Sequence, residues 1–259
     1  MARSYTAPAK INLTLEVLAR REDGYHTLRS VMVPLALADE LVVSPSERFA
    51  FDCDAPELAG NENLVVRAAL ALGSPPAAHL SLRKRVPSQA GLGGGSSDAA
   101  TVLRAAMDGA FGAVPALDWM RTARTLGSDV PFFLAQTAAL VEGTGERVVP
   151  AGTIPPWHVL VVKPPAAVST VAAYAELDRT ARSSRPRNGS VSLTLLAALQ
   201  RGDFAEVERG LSNDFNDVIA ARTPEVARAL DALRAAGSAN ALLSGSGSAV
   251  FTLAPDAAT

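Results

Sequence analysis

The sequence predicts a protein of mixed strands and helices, organised as two domains. Three observations support this prediction. Apolar and polar residues alternate over residues 11–17, as expected of a strand. A glycine-rich loop is followed by apolar residues at helical spacing. A proline cluster within residues 150–156 marks a boundary, so we predict domains at residues 1–150 and 151–259.

Composition restricts the class of protein. The 259 residues are 48% hydrophobic, enough for a sizeable core, and a net charge of −2 argues against nucleic acid or an anionic membrane as the main partner. A single cysteine, Cys53, excludes an internal disulfide framework and fits a reducing compartment. The first ten residues contain no apolar signal core, and the longest uncharged run is broken by glycines. We therefore expect a soluble cytoplasmic protein; no oligomeric state follows from the sequence.

The elements of the first domain follow from periodicity and capping signals. Asp118 is a typical N-cap, and Gly127 a typical stop, for the helix between them. The sequence predicts strands at 11–17, 28–35, 39–43 and 80–82, two strands around a turn within 138–149, and helices at 63–72, 96–107 and 119–126.

The second domain begins with a continuous apolar strand at 157–163, which is typical of burial on both faces. Residues 180–190 form a polar loop. Helices are predicted at 193–199, 204–211 and 224–236, followed by a small-residue loop at 243–248 and a strand at 249–253.

The glycine-rich loop is the most informative segment. Four glycines fall within residues 91–95, Ser96, Ser97 and Asp98 follow at the predicted helix start, and a basic cluster at 83–85 precedes them. Glycines let several amide N–H groups face one point, and a helix N-terminus adds partial positive charge there, so a phosphate is the expected ligand. The spacing matches neither a Walker A loop nor the dinucleotide fingerprint. The alternative is a turn that only lets a helix pack close to a strand.

Three further positions have two readings each. Lys10 and Asn12 lie on one face of the first strand. They are either a functional pair or ordinary solvent-facing residues. Tyr25 and His26 follow a tight turn, where they could bind a base, or could be a core tyrosine beside a surface histidine. Asp129 precedes Val-Pro. It is either a general base or the N-cap of a helix.

Residues 8–13, 87–100 and 243–251 together resemble the GHMP kinase superfamily, small-molecule kinases without a Walker A loop. Residues 20–26 and 126–132 are similar to those of the members that phosphorylate the 2-hydroxyl of 4-diphosphocytidyl-2-C-methyl-D-erythritol in the non-mevalonate isoprenoid pathway. The resemblance implies an α+β fold. Its N-terminal domain is of the ribosomal-protein S5 domain 2 type, and its ferredoxin-like C-terminal domain completes the substrate cleft.

The resemblance also implies roles for individual residues. Lys10 and Asp129 are the expected catalytic pair, and ATP with Mg²⁺ the expected co-substrate and cofactor, without assigned metal ligands. The expected contacts to the cytidine diphosphate substrate are Asn12, Tyr25, His26 and Tyr174. The expected ATP contacts are Asn63, Lys84, Pro87, Gly91, Leu92, Gly93, Gly94, Gly95, Ser96 and Ser97. The second loop, expected on the phosphate side, contributes Ser244, Gly245, Ser246 and Gly247.

Two departures from the family pattern carry expectations. The chain ends at Thr259, where the resemblance implies a further helix and strand, so we expect a trimmed or differently closed second domain. Residues 213–216 read Asn-Asp-Phe-Asn, without the expected acidic residue after Asn-Asp. The alternatives are a GHMP kinase acting on homoserine or a mevalonate-type alcohol, and a non-catalytic nucleotide-binding relative.

Overall fold

The computed structural model of the chain describes residues 1–180, 189–238 and 240–256. Most of the predicted polar loop, residues 181–188, lies outside the described residues. In the strand and helix notation used below, the strands are β1 (Arg3–Asn12), β2 (Thr14–Arg20), β3 (His26–Pro45), β4 (Ala50–Cys53), β5 (Ala78–Arg83), β6 (Ala139–Gly143), β7 (Arg147–Pro150), β8 (His158–Val162), β9 (Ser212–Asn213), β10 (Leu242–Leu243) and β11 (Val250–Ala254). The helices are α1 (Leu64–Leu70), α2 (Gly94–Met107), α3 (Trp119–Leu126), α4 (Val130–Ala135), α5 (Thr170–Thr180), α6 (Ser190–Arg201), α7 (Phe204–Gly210), α8 (Asn216–Arg222) and α9 (Pro224–Ala235).

These elements form two compact units. Unit 1 comprises Met1–Lys10, Pro34–Ser88 and Gly93–Gln136, and unit 2 comprises Ile11–Val33, Gln89–Leu92 and the described part of residues 137–259. The units interleave along the chain, whereas the sequence-based division is a single boundary at residue 150, so that division stays a prediction.

Unit 1 combines a small sheet with a helical layer. The second half of β3 pairs antiparallel with β5, and β4 pairs parallel with β5. Helix α2 packs against α1 and α4. The small and apolar side chains of α2 make this close packing possible. Nine of its ten residues from Ser97 to Ala106 are buried.

Unit 2 contains two strand systems. The first half of β3 pairs antiparallel with β2 and β6, β6 pairs with β7, and β9 pairs parallel with β2. Strands β10, β11 and β8 form a separate antiparallel sheet. A core cluster that includes Leu15, Phe215, Val226, Leu230 and Leu243 brings α8 and α9 together with these strands.

The prediction of one half-buried strand at residues 11–17 is wrong. The structure divides the segment at Leu13, whose N–H donates to the Val31 carbonyl, and β1 and β2 lie on either side. Thr14 and Glu16, on the face of the segment expected to meet solvent, are buried as well. The Thr14 hydroxyl bonds that of Ser192, and Glu16 accepts the Ser192 N–H. The solvent-facing reading of Lys10 and Asn12 is therefore wrong, since each is only 3% exposed.

The strand predicted at residues 157–163 is β8, but the expectation that both its faces are buried is wrong. Strand β8 lies at the end of the order β10–β11–β8 and pairs only with β11 among the described strands. An edge position leaves side chains open to solvent, and Leu160 is 57% exposed.

Elsewhere the sequence was a good guide. The predicted strands at 28–35 and 39–43 are one continuous strand, β3, and the capped helix at 119–126 is α3. Helices α5 and α8 were not predicted. Among the described residues, no helix combines the length and the apolar character that a membrane span requires.

Candidate active site

The end of the glycine-rich loop at which the sequence predicts a phosphate is the first turn of α2. The helix begins at Gly94, two residues before the predicted start, and Gly93 is its N-cap with a φ of +72°. A positive φ is accessible to glycine without strain. Because the first amide N–H groups of a helix have no intrahelical acceptor, Gly94, Gly95 and Ser96 present donors and partial positive charge at one point. This geometry favours a phosphate, and binding of a phosphate there stays a prediction.

The same glycine brings the loop against the predicted catalytic lysine. A Cβ atom added at Gly93 would lie 2.8 Å from the Phe133 ring and 3.1 Å from Cγ of Lys10. No side chain fits there, so the loop backbone is in direct contact with both residues. Lys10 therefore lies next to the start of α2.

Lys10 and Asp129, distant in sequence, are brought together. Lys10 Nζ lies 3.6 Å from Asp129 Oδ2; the lysine side chain is 4% exposed and the aspartate 35%. Burial lowers the pKa of Lys10, and the negative charge of Asp129 opposes that shift. The pair thus places a proton acceptor, the Asp129 carboxylate, beside the ammonium group of Lys10.

Asp129 occupies the N-cap position of α4, yet its side chain makes no capping hydrogen bond. The Val130 N–H bonds the Gly127 carbonyl instead. A Cβ atom at Gly127 would lie 3.6 Å from the Ser96 hydroxyl, so this turn lies beside the first turn of α2. The carboxylate is thus positioned by the helix start without being used to cap it.

Lys84 is the centre of a second buried ionic cluster. Its Nζ donates to Asp39 at 2.5 Å and to Asp98 at 2.7 Å, and Asp39 also accepts the N–H groups of Arg85 and Val86. The segment that leads into the glycine-rich loop is therefore tied to β3 and α2. The role of Lys84 toward ATP stays a prediction, and Asp39 is a structural residue that the sequence did not single out.

Two groups of this cluster, Asp98 and Lys84, have raised pKa values for different reasons. Burial raises the pKa of Asp98 to about 7, although the Lys84 ammonium counteracts the shift. Burial lowers the pKa of Lys84, but attraction to Asp98 and Asp39 outweighs it, so the net pKa is raised. Asp98 Oδ1 is buried without a hydrogen-bond partner in the described structure.

Two other predicted ATP contacts have different surroundings. Asn63 caps α1: its Oδ1 accepts the Val65 N–H and its Nδ2 donates to the Leu58 carbonyl, both at 2.8 Å. Pro87 is exposed in the loop before α2. Their roles toward ATP stay predictions.

In unit 2, the start of the glycine-rich loop packs against the second loop. The Ser244 hydroxyl donates to the Gly91 carbonyl at 3.0 Å, and the Ala249 N–H donates to the Ala90 carbonyl. A Cβ atom at Gly91 would lie 2.1 Å from the Ser244 carbonyl oxygen. Leu92 is buried beside Gly91.

The second loop is a tight turn with its own supports. The Gly247 N–H bonds the Ser244 carbonyl, and the Ser246 hydroxyl bonds that of Thr170. Asn213 donates to the carbonyls of both Leu243 and Gly245.

The segment at 213–216 therefore has a structural explanation. Besides the bonds of Asn213, Asp214 Oδ2 accepts the Val17 N–H at 2.7 Å and Asn216 Oδ1 accepts the Leu243 N–H at 3.1 Å. These polar side chains hold β2 and β10 in place.

The predicted substrate-binding residues lie in unit 2. The His26 and Tyr174 rings stack with centroids 4.8 Å apart, and His26 Nε2 bonds Asp178 Oδ1 at 2.7 Å. The His26 side chain is 7% exposed, while Tyr25 is 68% exposed, so the reading of a core tyrosine beside a surface histidine is wrong. Asn12 donates to the Ser30 hydroxyl at 2.8 Å.

Comparisons with known proteins give the family. Residues 63–137 match the GHMP kinases N terminal domain, and residues 195–259 match the GHMP kinases C terminal family. A 4-diphosphocytidyl-2-C-methyl-D-erythritol kinase of Deinococcus radiodurans is 45% identical over 97% of this chain and 84% of its own length. One from Symbiobacterium thermophilum is 43% identical over 96% of this chain and 89% of its own.

Solved structures agree. A crystal structure of 4-(cytidine 5'-diphospho)-2C-methyl-D-erythritol kinase matches with a TM-score of 0.79 at 39% identity, over 97% of this chain and 90% of the other. Mevalonate kinase of L. major matches with a TM-score of 0.70 at 15% identity, over 99% of this chain and 88% of the other, which shows a shared fold. The predicted α+β fold of the GHMP kinases is confirmed. With relatives of this identity along nearly its whole length, the chain belongs to the 4-diphosphocytidyl-2-C-methyl-D-erythritol kinase family of the GHMP kinases.

Proposed function

We infer that this chain transfers the terminal phosphoryl group of ATP to the 2-hydroxyl of 4-diphosphocytidyl-2-C-methyl-D-erythritol. The observation that supports it most is the ion pair of Lys10 and Asp129 beside the first turn of α2. A proton acceptor, an ammonium group and an anion-binding helix start are what transfer to an alcohol requires. The names of the relatives supply the substrate.

In the proposed mechanism, Asp129 accepts the proton of the 2-hydroxyl as its oxygen attacks the terminal phosphorus. Its exposed fraction, about a third, lets a substrate hydroxyl reach the carboxylate. Lys10 reduces the electrostatic cost of negative charge on the attacking oxygen and keeps Asp129 oriented. Both effects are strengthened by the burial of Lys10, because water screens the charge less there.

The amide N–H groups at the start of α2 bind the phosphates of ATP in this proposal. As the phosphoryl group moves, charge spreads over its oxygens, and fixed donors stabilise it without reorganisation. The positive end of a 14-residue helix contributes to the same point.

Mg²⁺ in kinases is held mainly by substrate phosphates and water, with one or two protein oxygens. Among the described residues, no three His, Cys, Asp or Glu side chains are grouped as a metal cage. Ser97, in the first turns of α2, has a buried hydroxyl without a hydrogen-bond partner there. This single oxygen fits a metal that arrives with the nucleotide, and we propose Ser97 as its protein ligand; the metal would offset phosphate charge.

The base-binding groups in this proposal are those of unit 2. The stacked rings of His26 and Tyr174 offer an aromatic surface and a ring nitrogen, and exposed Tyr25 can stack on a base. Stacking of the cytosine on these rings then supplies part of the binding energy of the substrate. We also propose a cytoplasmic location, for which a single unpaired cysteine, Cys53, is the supporting feature.

An assay of ADP release tests the proposal. Purified protein with ATP and Mg²⁺ is given, in separate reactions, the cytidine diphosphate substrate, homoserine and mevalonate. We expect ADP release above the no-acceptor rate with the first only, and its loss in the Asp129→Asn variant. Release with homoserine or mevalonate would assign another kinase activity, and no release with any acceptor would favour a non-catalytic protein.

A further inference from the structure

Helix α5 places two side chains on one histidine ring. Tyr174 and Asp178 are four residues apart and thus lie on the same face of the helix. The Tyr174 ring stacks on His26 at an interplanar angle of 19°, and Asp178 Oδ1 lies 2.7 Å from His26 Nε2. The imidazole is therefore fixed both on its face and at one nitrogen.

The two contacts restrict different motions of the ring. The stack sets the plane of the imidazole, and Tyr174 is itself held edge-on by Phe215, with ring centroids 4.9 Å apart. The hydrogen bond to Asp178 sets the rotation of the imidazole within that plane. Together they leave the His26 ring, 7% exposed, one preferred orientation.

Asp178 also determines which nitrogen carries the proton. Its second oxygen, Oδ2, lies 3.8 Å from Nε of Arg20, and a carboxylate beside a guanidinium only accepts hydrogen bonds. Nε2 of His26 must then be the donor. In the neutral ring the other nitrogen, Nδ1, is an acceptor. Among the residues that the structure describes, Asp178 is the only hydrogen-bond partner of the His26 ring.

We propose that Asp178 is a positioning residue that gives the enzyme its preference for cytosine over uracil. The inference rests on the proposed function and deepens it. An acceptor at Nδ1 fits the exocyclic 4-amino group of cytosine, which donates. Uracil carries a carbonyl oxygen at the same place, so two acceptors would face each other. A site built to receive a donor rejects the analogue that lacks it, because a buried polar group is left unpaired.

The proposal predicts the effect of Asp178→Asn. The amide can donate to Nε2 as well as accept from it, so the proton is free to move to Nδ1. The ring would then accept either base. The Asp178 side chain is 38% exposed, and asparagine has the same shape as aspartate, so the variant is expected to fold.

The first test compares kcat and KM for 4-diphosphocytidyl-2-C-methyl-D-erythritol and its uridine counterpart. We expect the wild type to prefer the cytidine compound and Asp178→Asn to reduce that preference about tenfold, which corresponds to one neutral hydrogen bond. The change is expected in KM for the cytidine compound, with kcat within about threefold. Glu176→Gln is the matched control on α5, because the ion pairs of Glu176 are with Arg179 and Arg222.

The second test measures the tautomer directly. The chain has three histidines, so ¹⁵N imidazole spectra can be assigned with His79→Gln and His158→Gln variants. We expect His26 in the wild type to carry its proton on Nε2 alone, and Asp178→Asn to show a mixture of tautomers.

Each outcome decides the proposal. An unchanged base preference in Asp178→Asn, in a wild type active on the cytidine compound, overturns the inference and leaves the proposed function standing. A wild-type His26 protonated on Nδ1 also overturns it. A wild type inactive on both compounds removes the proposed function and the base-reading role with it, while the spectra still show whether Asp178 fixes the ring.

Discussion

Two buried lysines of unit 1 show opposite electrostatic designs. Lys84 is held by Asp39 and Asp98 at 2.5 and 2.7 Å, and both carboxylates are almost fully buried. Lys10 has an aspartate at 3.6 Å that is about one-third exposed. The pKa of Lys84 is raised because two carboxylates outweigh burial, whereas that of Lys10 is lowered because burial outweighs Asp129.

The difference separates a structural lysine from one suited to chemistry. A cation in close contact with two carboxylates is fully compensated and fixes the chain around it. The carboxylate beside Lys10 is about one-third exposed, so an attacking oxygen or a phosphate can approach this pair. Depth of burial alone would have placed the two lysines in the same class.

The largest effect is expected for Asp129→Asn. Turnover should fall about 10²–10⁴-fold, as for loss of a general base, with KM for both substrates little changed. Steady-state kinetics would measure it. Asp118→Asn is the control, because Asp118 also begins a short helix but caps it through the Arg121 N–H, and an amide oxygen can still accept there. Turnover within about threefold of wild type in Asp129→Asn would contradict the base assignment.

The next effect concerns stability. Lys84→Met should reduce the free energy of unfolding by about 3–5 kcal/mol, because two buried carboxylates lose their cation. Lys10→Met should cost clearly less, since water can reach the exposed part of Asp129. Urea unfolding of both variants beside the wild type measures the contrast. Equal losses would mean that the two clusters do not differ as the structure indicates.

The smallest effect is a pH dependence caused by Asp98. Its pKa is raised in the folded protein to about 7, so its protonated form stabilises the fold and that contribution is lost as pH rises. The free energy of unfolding of the wild type, relative to Asp98→Asn, should fall by roughly 2–4 kcal/mol between about pH 4 and pH 7 and then level off. Thermal or urea unfolding at several pH values measures it; a flat difference would place the proton elsewhere in the cluster.

The elements that the sequence predicted well are those with local signals. Helix α3 has a capping aspartate and a terminal glycine, and α2 follows a run of glycines with apolar residues at helical spacing. Helix α5 has no such signal. Only Ala173 and Leu177 of its residues are buried, so its apolar stripe is too narrow to give a helical periodicity.

The site depends more on distant contacts, and a single sequence does not contain them. Lys10 and Asp129 were paired through a family resemblance, because nothing local connects the first strand with a turn in mid-sequence. Asp39 and Asp178 were missed for the same reason: their partners Lys84 and His26 lie 45 and 152 positions away. The break at Leu13 was hidden too, because alternation of apolar residues continues across it while the backbone hydrogen bonds change partners.

The bare α-carbon of Gly93 has a practical consequence for engineering. Any residue larger than glycine at this position would displace the Phe133 ring and the stem of Lys10. A library that randomises the glycine-rich loop alone would therefore also disturb the ammonium group of Lys10. Libraries aimed at new phosphoryl donors should vary positions 10, 93 and 133 jointly, or leave all three untouched.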